Sequence, residues 1–359
     1  LCRFALGKLT LIYNNLNPFK EIGGIMREIM MSECSELLIN NEYIVSQPFS
    51  RSCFDIIAKK KNSKFLIKIL KNIDSLSVEQ SSALLKISNL LNATPILIGS
   101  RTRNYSMENG VVYERYGIKS ITPNTFERYL GGAPPMVYSG RGGFFVNIDG
   151  TELRKVREEL NISIGELADF ANVSRKTIYK YEQNMANPSV EVAIKIEKYL
   201  DSPLINSMEL STVNLKENLK EAEDIKNKNN AENKTNEENE FKSLVINVLN
   251  ELGFNPTETE KAPFDVVAEK YEYEQKYEEY KDNTLLLTNI EETDTVEIRK
   301  KAMIVNQISN ILNSHSLMIL ENSSNDIGNI KTLSFKELEK MDNAFDLMDY
   351  LLDSTKKKK

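Results

Sequence analysis

Apolar positions recur at helical spacing in MREIMMSECSELLINNE (26–42), with Ile29, Met30, Leu37 and Leu38 on one side, and this predicts an amphipathic helix. The period then changes. Tyr43-Ile44-Val45 and Cys53-Phe54-Asp55-Ile56-Ile57-Ala58 read as strands, Asn62-Ser63 as a turn and 64–70 as a third strand. A second amphipathic helix is predicted over 77–92, where Leu84, Leu85, Ile87, Leu90 and Leu91 are apolar. A buried strand over 94–99, a strand over 111–113 and a helix over 123–130 follow. This order predicts an α/β domain over 26–135, with helices packed on a central sheet. VYSGRGGFFVNIDG (137–150) reads as a β-hairpin spanning 136–150, turned by Gly140, Gly142 and Gly143, with Arg141 at its tip.

The pattern then recurs near the other end of the chain. FKSLVINVLNELGF is a helix, and APFDVVAEK mirrors SCFDIIAKK. TLLLTNI mirrors FLIKIL, VNQISNILNSHSLMILEN mirrors LLKISNLLNATPILIGS, and IKTLSFKELEKM mirrors IKSITPNTFERYL. Matching blocks in the same order predict a second, smaller α/β domain over 241–354 that repeats the first. Residues 209–240 are mostly Asn, Lys and Glu, with few apolar residues after Leu219, and read as a flexible linker. Within them LKENLKEAE is compatible with a short exposed helix. The tail 355–359, TKKKK, is expected to be disordered. Residues 1–25 do not continue the helical pattern, their apolar part is broken by Lys8, and no signal-peptide cleavage site stands out. They are expected to be an extension upstream of a start near Met26.

The middle of the chain carries the clearest signal. In residues 151–208, Leu153, Val156 and Leu160 give one face to a first helix. Ser163 caps a second helix and Glu166 completes a capping box, with Leu167, Ala168 and Phe170 on the buried face. Ala171-Asn172-Val173 is a turn, and Ser174 caps a third helix, RKTIYKYEQ, whose Ile178 and Tyr181 face inward. Pro188-Ser189 opens a fourth, with Val192, Ile196 and Leu200 apolar. This unit resembles the phage-repressor (Cro-like) helix-turn-helix family. The matching residues are Leu153-Arg154, Ser163, Glu166-Leu167-Ala168, Val173-Ser174-Arg175, Thr177-Ile178, Glu182 and Asn187-Pro188-Ser189. Two positions depart from the family: Asn172 stands where the turn commonly has Gly, and Ile164 where the second helix commonly opens with Gln. Asn is the next best tolerated residue in a left-handed backbone. The Ile164 departure leaves a phosphate contact at that position unsupported.

The resemblance implies that the third helix lies in the major groove with its N-terminal side chains at base edges. Carried over residue by residue, it makes Arg175, Lys176, Thr177 and Lys180 outward-facing readers of bases and phosphates. Arg175 suits a two-bond grip on guanine, worth roughly 1–3 kcal/mol of discrimination. Ser163, Ser174 and Lys180 suit phosphates, and Tyr179 suits stacking or backbone contact. The alternative is a solvated charged face. Arg141 at the hairpin tip fits either a phosphate-reaching wing or a plain connector between domains. From about Met26 to Leu210 the chain resembles an archaeal family whose members are called putative helix-turn-helix transcriptional regulators, most strongly in RGGFFVNIDG, IGELADFANVSRKTIYKYE and SVEVAIKIEKYL.

Residues 54–70, FDIIAKKKNSKFLIKIL, raise a different chemistry. Endonucleases of the restriction type use an Asp, a spacer, then an acid two places before a Lys, and Asp55 and Lys68 fit that pattern while Leu66 takes the place of the acid. Magnesium chemistry needs at least two oxygen ligands to make and orient a hydroxide. Glu33 or Glu36 could supply the second only by a coincidence of geometry. In the second repeat Asp265 is kept, while Leu286 and Thr288 replace acid and lysine. Both repeats are therefore expected to be endonuclease-like in fold without catalysis, metal or cofactor. The alternative is a magnesium-dependent, structure-selective nuclease targeted by the helix-turn-helix. A chromatin or repair accessory protein that docks through the repeats is a third class.

Composition narrows the setting. Three cysteines (Cys2, Cys34, Cys53) form no CxxC pair, which favours a reducing, cytoplasmic compartment. His315 is the only histidine, so a histidine-based metal site or catalytic triad within one chain is not expected. No apolar run is long enough for a membrane helix. Residues 26–135 hold 14 Lys and Arg against 10 Asp and Glu, a balance of +4, and 241–355 hold 11 against 22, a balance of −11. The basic first domain offers phosphate contacts through Lys59, Lys60, Lys61 and Lys64. The acidic second suits a protein partner or self-pairing, or is simply solvated. Double-stranded DNA is the expected partner, met by a homodimer.

Overall fold

In a computed structural model of the chain, the described residues are 18–49, 52–210, 240–270, 285–293, 295–322 and 330–352. Most of the expected linker (211–239), most of the extension and the basic tail lie outside them, while Leu210 is buried in the core of the first sheet and Glu240 begins a helix. Helix α1 (Pro18–Asn40) starts upstream of the boundary expected at Met26 and lays Met30, Cys34 and Leu38 on a sheet. Then come β1 (Ile44–Val45), β2 (Ile56–Lys60), β3 (Ser63–Ile69), a short 3-10 turn (Ile73–Ser75), α2 (Val78–Leu90), β4 (Thr94–Ile98), β5 (Val111–Arg115), β6 (Ile118–Ile121) and α3 (Pro123–Leu130). Ser77 and Gln80 form a capping box on α2, and Thr122 caps α3 ahead of its N-terminal proline.

The hairpin is β7 (Val137–Gly140) with β8 (Gly143–Ile148), and it packs on the helices that follow it, with Val137, Val146 and Ile148 in their core, while also joining the first sheet. Val111 and Val112 of β5 pair in parallel with Val137 and Tyr138, so the hairpin extends the first sheet. Helices α4 (Gly150–Glu159), α5 (Ile164–Ala171), α6 (Arg175–Glu182) and α7 (Val190–Leu200) follow, and β9 (Ile205–Asn206) returns to pair with β8. The nine strands run in the order β1-β2-β3-β4-β6-β5-β7-β8-β9. Strands β3, β4 and β6 are mutually parallel, and the antiparallel and parallel steps through β5 and β7 bring β8 into the same direction.

The second sheet follows α8 (Glu240–Glu251): β10 (Phe254–Glu258), β11 (Val266–Lys270), β12 (Leu285–Glu291), α9 (Val296–Leu312), β13 (His315–Leu320), β14 (Lys331–Ser334), α10 (Phe335–Leu338) and α11 (Ala344–Leu352). Pro256 is tolerated in β10 because that strand is an edge. Along β10 to β14 the pairings are antiparallel, antiparallel, parallel, parallel. The steps β1-β2-β3-β4-β6 of the first sheet repeat that sequence of directions.

One apolar core joins the two units. It contains Ile57, Leu66, Leu84, Ile87 and Leu91 from the first, and Val267, Leu287, Val305, Ile308 and Leu312 from the second. Polar ties cross the same seam: the Cys53 N–H donates to Lys261 O at 2.7 Å, and Lys86 Nζ to Glu258 O at 2.7 Å. Cys34 and Cys53 are buried free thiols whose pKa values are pushed up to about 12, chiefly by desolvation; the Glu33 charge adds to the rise at Cys34, and Lys68 opposes it at Cys53. Both thiols stay neutral at ordinary pH. Native protein at pH 8 is expected to leave both unlabelled by a thiol reagent while denatured protein labels them, as peptide mass mapping would read; rapid native labelling at either would contradict this burial.

Candidate nucleic-acid interface

The four-helix unit is assembled from local rules. The Asp149 carboxylate accepts the Thr151 and Glu152 N–H groups and starts α4. Gly150 must lack a side chain, because a Cβ there would lie 2.2 Å from Tyr181 O. That clearance seats the start of α4 against the end of α6. On α5, Ser163 Oγ accepts the Glu166 N–H at 3.1 Å and the Glu166 carboxylate accepts the Ser163 N–H at 2.7 Å. Asn172 closes α5 at φ 56° and ψ 48°, the left-handed conformation expected of it. Ser174 Oγ accepts the Thr177 N–H at 3.1 Å and opens α6.

Behind α6, Ile178 and Tyr181 are buried with Leu167, Ala168, Ala171 and Leu153. Beneath them is a buried ion pair. Arg157 donates to Glu182 from Nε at 2.6 Å and Nη2 at 3.3 Å, and from Nη1 to Ile162 O at 2.9 Å. Two-point geometry plus a carbonyl partner satisfies both charges out of water. Sequence reading did not single out Arg157. Two apolar assignments are corrected: Leu160 is 50% exposed because it is the C-cap of α4, and Phe170 is 45% exposed, stacked on Tyr199 at 4.2 Å instead of entering the core.

In front of α6, Ser163, Ser174, Arg175, Lys176, Tyr179 and Lys180 are all exposed, with Thr177 half-buried. Tyr179 is 51% exposed. The Arg175 guanidinium lies over Gly165, where a Cβ would approach its Nε to 3.1 Å. Ser163 Oγ is used as an acceptor by the cap, which leaves its hydroxyl hydrogen free to donate. Ser174 Oγ lies 2.8 Å from Thr177 Oγ1, so one of these two hydroxyls donates a hydrogen bond to the other.

The other candidates stand elsewhere. Lys59 Nζ donates to Leu312 O at 2.9 Å, and Lys64 Nζ to Leu91 O at 2.6 Å, so each meets the C-terminal carbonyls of a helix. Lys60 Nζ donates to Asn41 O at 2.9 Å and pairs with Glu42 at 3.0 Å. These lysines and Lys61 line a cleft of about 680 Å³ at the seam between the two units. Burial, then the neighbouring Lys59 charge, holds the Lys64 ammonium below its usual pKa. The β2–β3 turn and the β7–β8 tip with Arg141 lie at the N-terminal ends of β3 and β8, the opposite end of the sheet from the point where α4 leaves β8.

Asp55 stands just before β2, fully buried. Its Oδ1 meets Arg27 Nη2 at 2.6 Å and Lys68 Nζ at 3.0 Å, and its Oδ2 accepts the Ile69 N–H at 2.8 Å. Lys68 Nζ also donates to Ser52 O at 2.7 Å. Leu66 is buried in the seam core, under the second unit. Glu33 and Glu36 do not reach Asp55 as partners; Arg27 of α1 does. In the second unit the Asp265 N–H donates to Thr288 O at 2.9 Å and Asp265 Oδ2 accepts the Ile290 N–H at 3.0 Å. The Asp55 N–H donates likewise to Ile67 O at 2.8 Å. Those bonds correct the expected register by one residue: Leu287 and Asn289, not Leu286 and Thr288, stand where Leu66 and Lys68 do. Asn289 Nδ2 reaches Pro263 O at 3.0 Å, and Lys301 pairs with Asp265 at 3.1 Å and Glu291 at 2.9 Å. Among the described residues no group of three or more His, Cys, Asp or Glu side chains is placed to hold a metal ion.

Comparison with known proteins fits both units. A family described as PD-(D/E)XK superfamily domain matches residues 27–135, and one described as helix-turn-helix matches 153–205. A Methanococcus maripaludis protein is 56% identical over 334 residues, covering 93% of this chain and 99% of the relative. Proteins of Methanocaldococcus jannaschii (51% over 333 residues, 91% and 97% covered) and Pyrococcus horikoshii (33% over 307 residues, 85% and 90% covered) are also similar. All three are named "Putative HTH-type transcriptional regulatory protein". The chain belongs to this archaeal family. Its members' name matches the four-helix unit, while the larger PD-(D/E)XK-like domain supplies the frame on which that unit is mounted. Among the described residues no helix is long and apolar enough to cross a membrane.

Proposed function

We propose that this protein is a sequence-specific, DNA-binding regulator of transcription that reads the major groove with α6. The observation that carries this reading is the arrangement of α6 itself. Its cationic face (Arg175, Lys176, Lys180) is exposed beside Ser163, Ser174, Thr177 and Tyr179, and its back is fixed by Ile178, Tyr181 and the Arg157–Glu182 pair. Arg175 and Thr177 read base edges in this proposal; Ser163, Ser174, Lys176 and Lys180 hold phosphates, and Tyr179 packs on the sugar-phosphate backbone. A two-fold homodimer would place two such helices on half-sites about one helical turn apart. The protein would act in the cytoplasm, where archaeal DNA lies. The second sheet, which shares its strand directions with the first, is read as a degenerate copy of it whose acidic surface faces a protein partner.

Selection of duplexes from a random pool by the full-length chain tests the proposal. It is expected to return a palindromic consensus, and Arg175→Ala with Lys180→Ala is expected to weaken the selected duplex by roughly 1–3 kcal/mol per lost base contact. Unchanged binding by that double variant would end the reading. The nuclease alternative draws on the PD-(D/E)XK match and on Asp55 beside Lys68. We disfavour it because Arg27 and Lys68 already neutralise Asp55 and the second acid position is the buried Leu66. Magnesium-dependent cleavage abolished by Asp55→Ala would reverse that preference.

A further inference from the structure

One exposed basic segment remains outside these roles. After β4 the chain makes a tight turn, RTRNY (101–105), that the backbone and local side chains hold firmly. Gly99 launches it: a Cβ there would lie 2.4 Å from Ile73 Cγ2 and 2.9 Å from Leu70 O. The Thr102 N–H donates to Tyr105 O at 2.8 Å, and Thr102 Oγ1 accepts the Tyr105 N–H at 3.1 Å. The Arg101 guanidinium braces the turn through Thr102 O at 3.0 Å and Arg103 O at 2.8 Å. Asp74 Oδ2 accepts the Arg103 N–H at 2.7 Å while its other oxygen faces Arg115 at 3.8 Å. That carboxylate is therefore occupied, and among the described residues no ion pair engages the Arg103 guanidinium. Arg103 and Asn104 are exposed, and Tyr105 is 76% exposed.

The sheet fixes where this turn stands. Ile69 is in register with Ile98, and Asn72 with Arg101, so the ladder continues to the base of the turn. Because β4 and β8 run the same way, the turn leaves the same end of the sheet as α4, the first helix of the four-helix unit. The order β4-β6-β5-β7-β8 separates them by four strand spacings, or ~19 Å. That distance is about five or six base pairs along a duplex. A rigid turn that presents arginine, asparagine and tyrosine carries the residue types that contact phosphates and sugars without reading sequence.

We propose that the 101–105 turn is a second DNA contact, which grips the phosphate backbone beside each half-site read by α6. This rests on the α6 reading, and the test separates the two. Full-length wild type and Arg103→Ala/Tyr105→Ala protein are compared on duplexes selected by the wild type, in a long form and in one trimmed to the consensus. The altered side chains are exposed, so an unchanged far-UV spectrum and melting temperature are expected. On the long duplex the variant is expected to lose roughly fivefold to tenfold in affinity per protomer, and its slope of log affinity against log salt to fall by about one per protomer. Protection beside each half-site should shrink by about five base pairs, with the consensus unchanged and the trimmed duplex bound equally by both proteins. Equal slopes and equal footprints on the long duplex, with Arg175→Ala/Lys180→Ala still weakening the selected duplex, would overturn the turn's role alone. If the wild type selects no duplex, the α6 reading fails and takes this one with it.

Discussion

Glu182→Ala is expected to destabilise the helix-turn-helix unit by about 3–5 kcal/mol, the usual loss when one partner of a buried pair is removed. The variant leaves the Arg157 guanidinium buried under α6 with only Ile162 O and the neighbouring Glu158 to hold it. Removing an exposed charge such as Glu191 should cost well under 1 kcal/mol. A paired replacement, Arg157→Met with Glu182→Leu, should recover most of the stability because it removes both charges together. Urea unfolding followed by circular dichroism measures all of these, and the four-way comparison isolates the coupling. A single Glu182→Ala variant as stable as the Glu191→Ala control would show that the pair does not hold α6 in place. The recovered double variant matters for function too: stable but with a looser α6, it should bind DNA less selectively than the wild type.

Asp55→Ala should produce a loss of similar size, about 3–5 kcal/mol, because Lys68 is buried and would keep only Ser52 O. Asp55→Asn should fall between, since its side-chain oxygen can still accept the Ile69 N–H. Magnesium should leave the melting temperature of the wild type unchanged, for Asp55 already meets two cations. A ligand that binds only the folded state raises stability with concentration. A magnesium-dependent rise in the wild type that Asp55→Ala erases would therefore mark a metal site, and would favour the nuclease alternative.

The helix-turn-helix was legible in the sequence because its signals are local. Ser163 with Glu166, Asn172 and Ser174 each act within one turn of the chain, and each takes the role its residue type allows. The Arg157–Glu182 pair was not legible, since its members are 25 residues apart and either alone reads as a surface charge. Strand β6 was missed because its hairpin turns on Tyr116 and Gly117, with φ of 49° and 75°, where asparagine or aspartate would have signalled the turn. Strand β9 has two residues and no pattern of its own. The register of the second unit slipped by one because TLLLTNI matches FLIKIL almost as well either way, and only the hydrogen bonds of Asp265 decide it. The shared apolar seam was hidden for another reason: Leu66 and Leu287 look like ordinary strand interiors until the partner unit is seen against them.

Ile148 and Ile205 are direct cross-strand neighbours, so the four helices leave and re-enter the sheet through a doorway one strand spacing wide. An insertion whose ends touch is a cassette. A different four-helix head could be exchanged between those two isoleucines without stretching the frame, so that a new operator is acquired while everything below the doorway stays the same. Two adjacent tethers also deny the head the swivel that a single linker would give it, so the orientation of any bound duplex is set by the sheet.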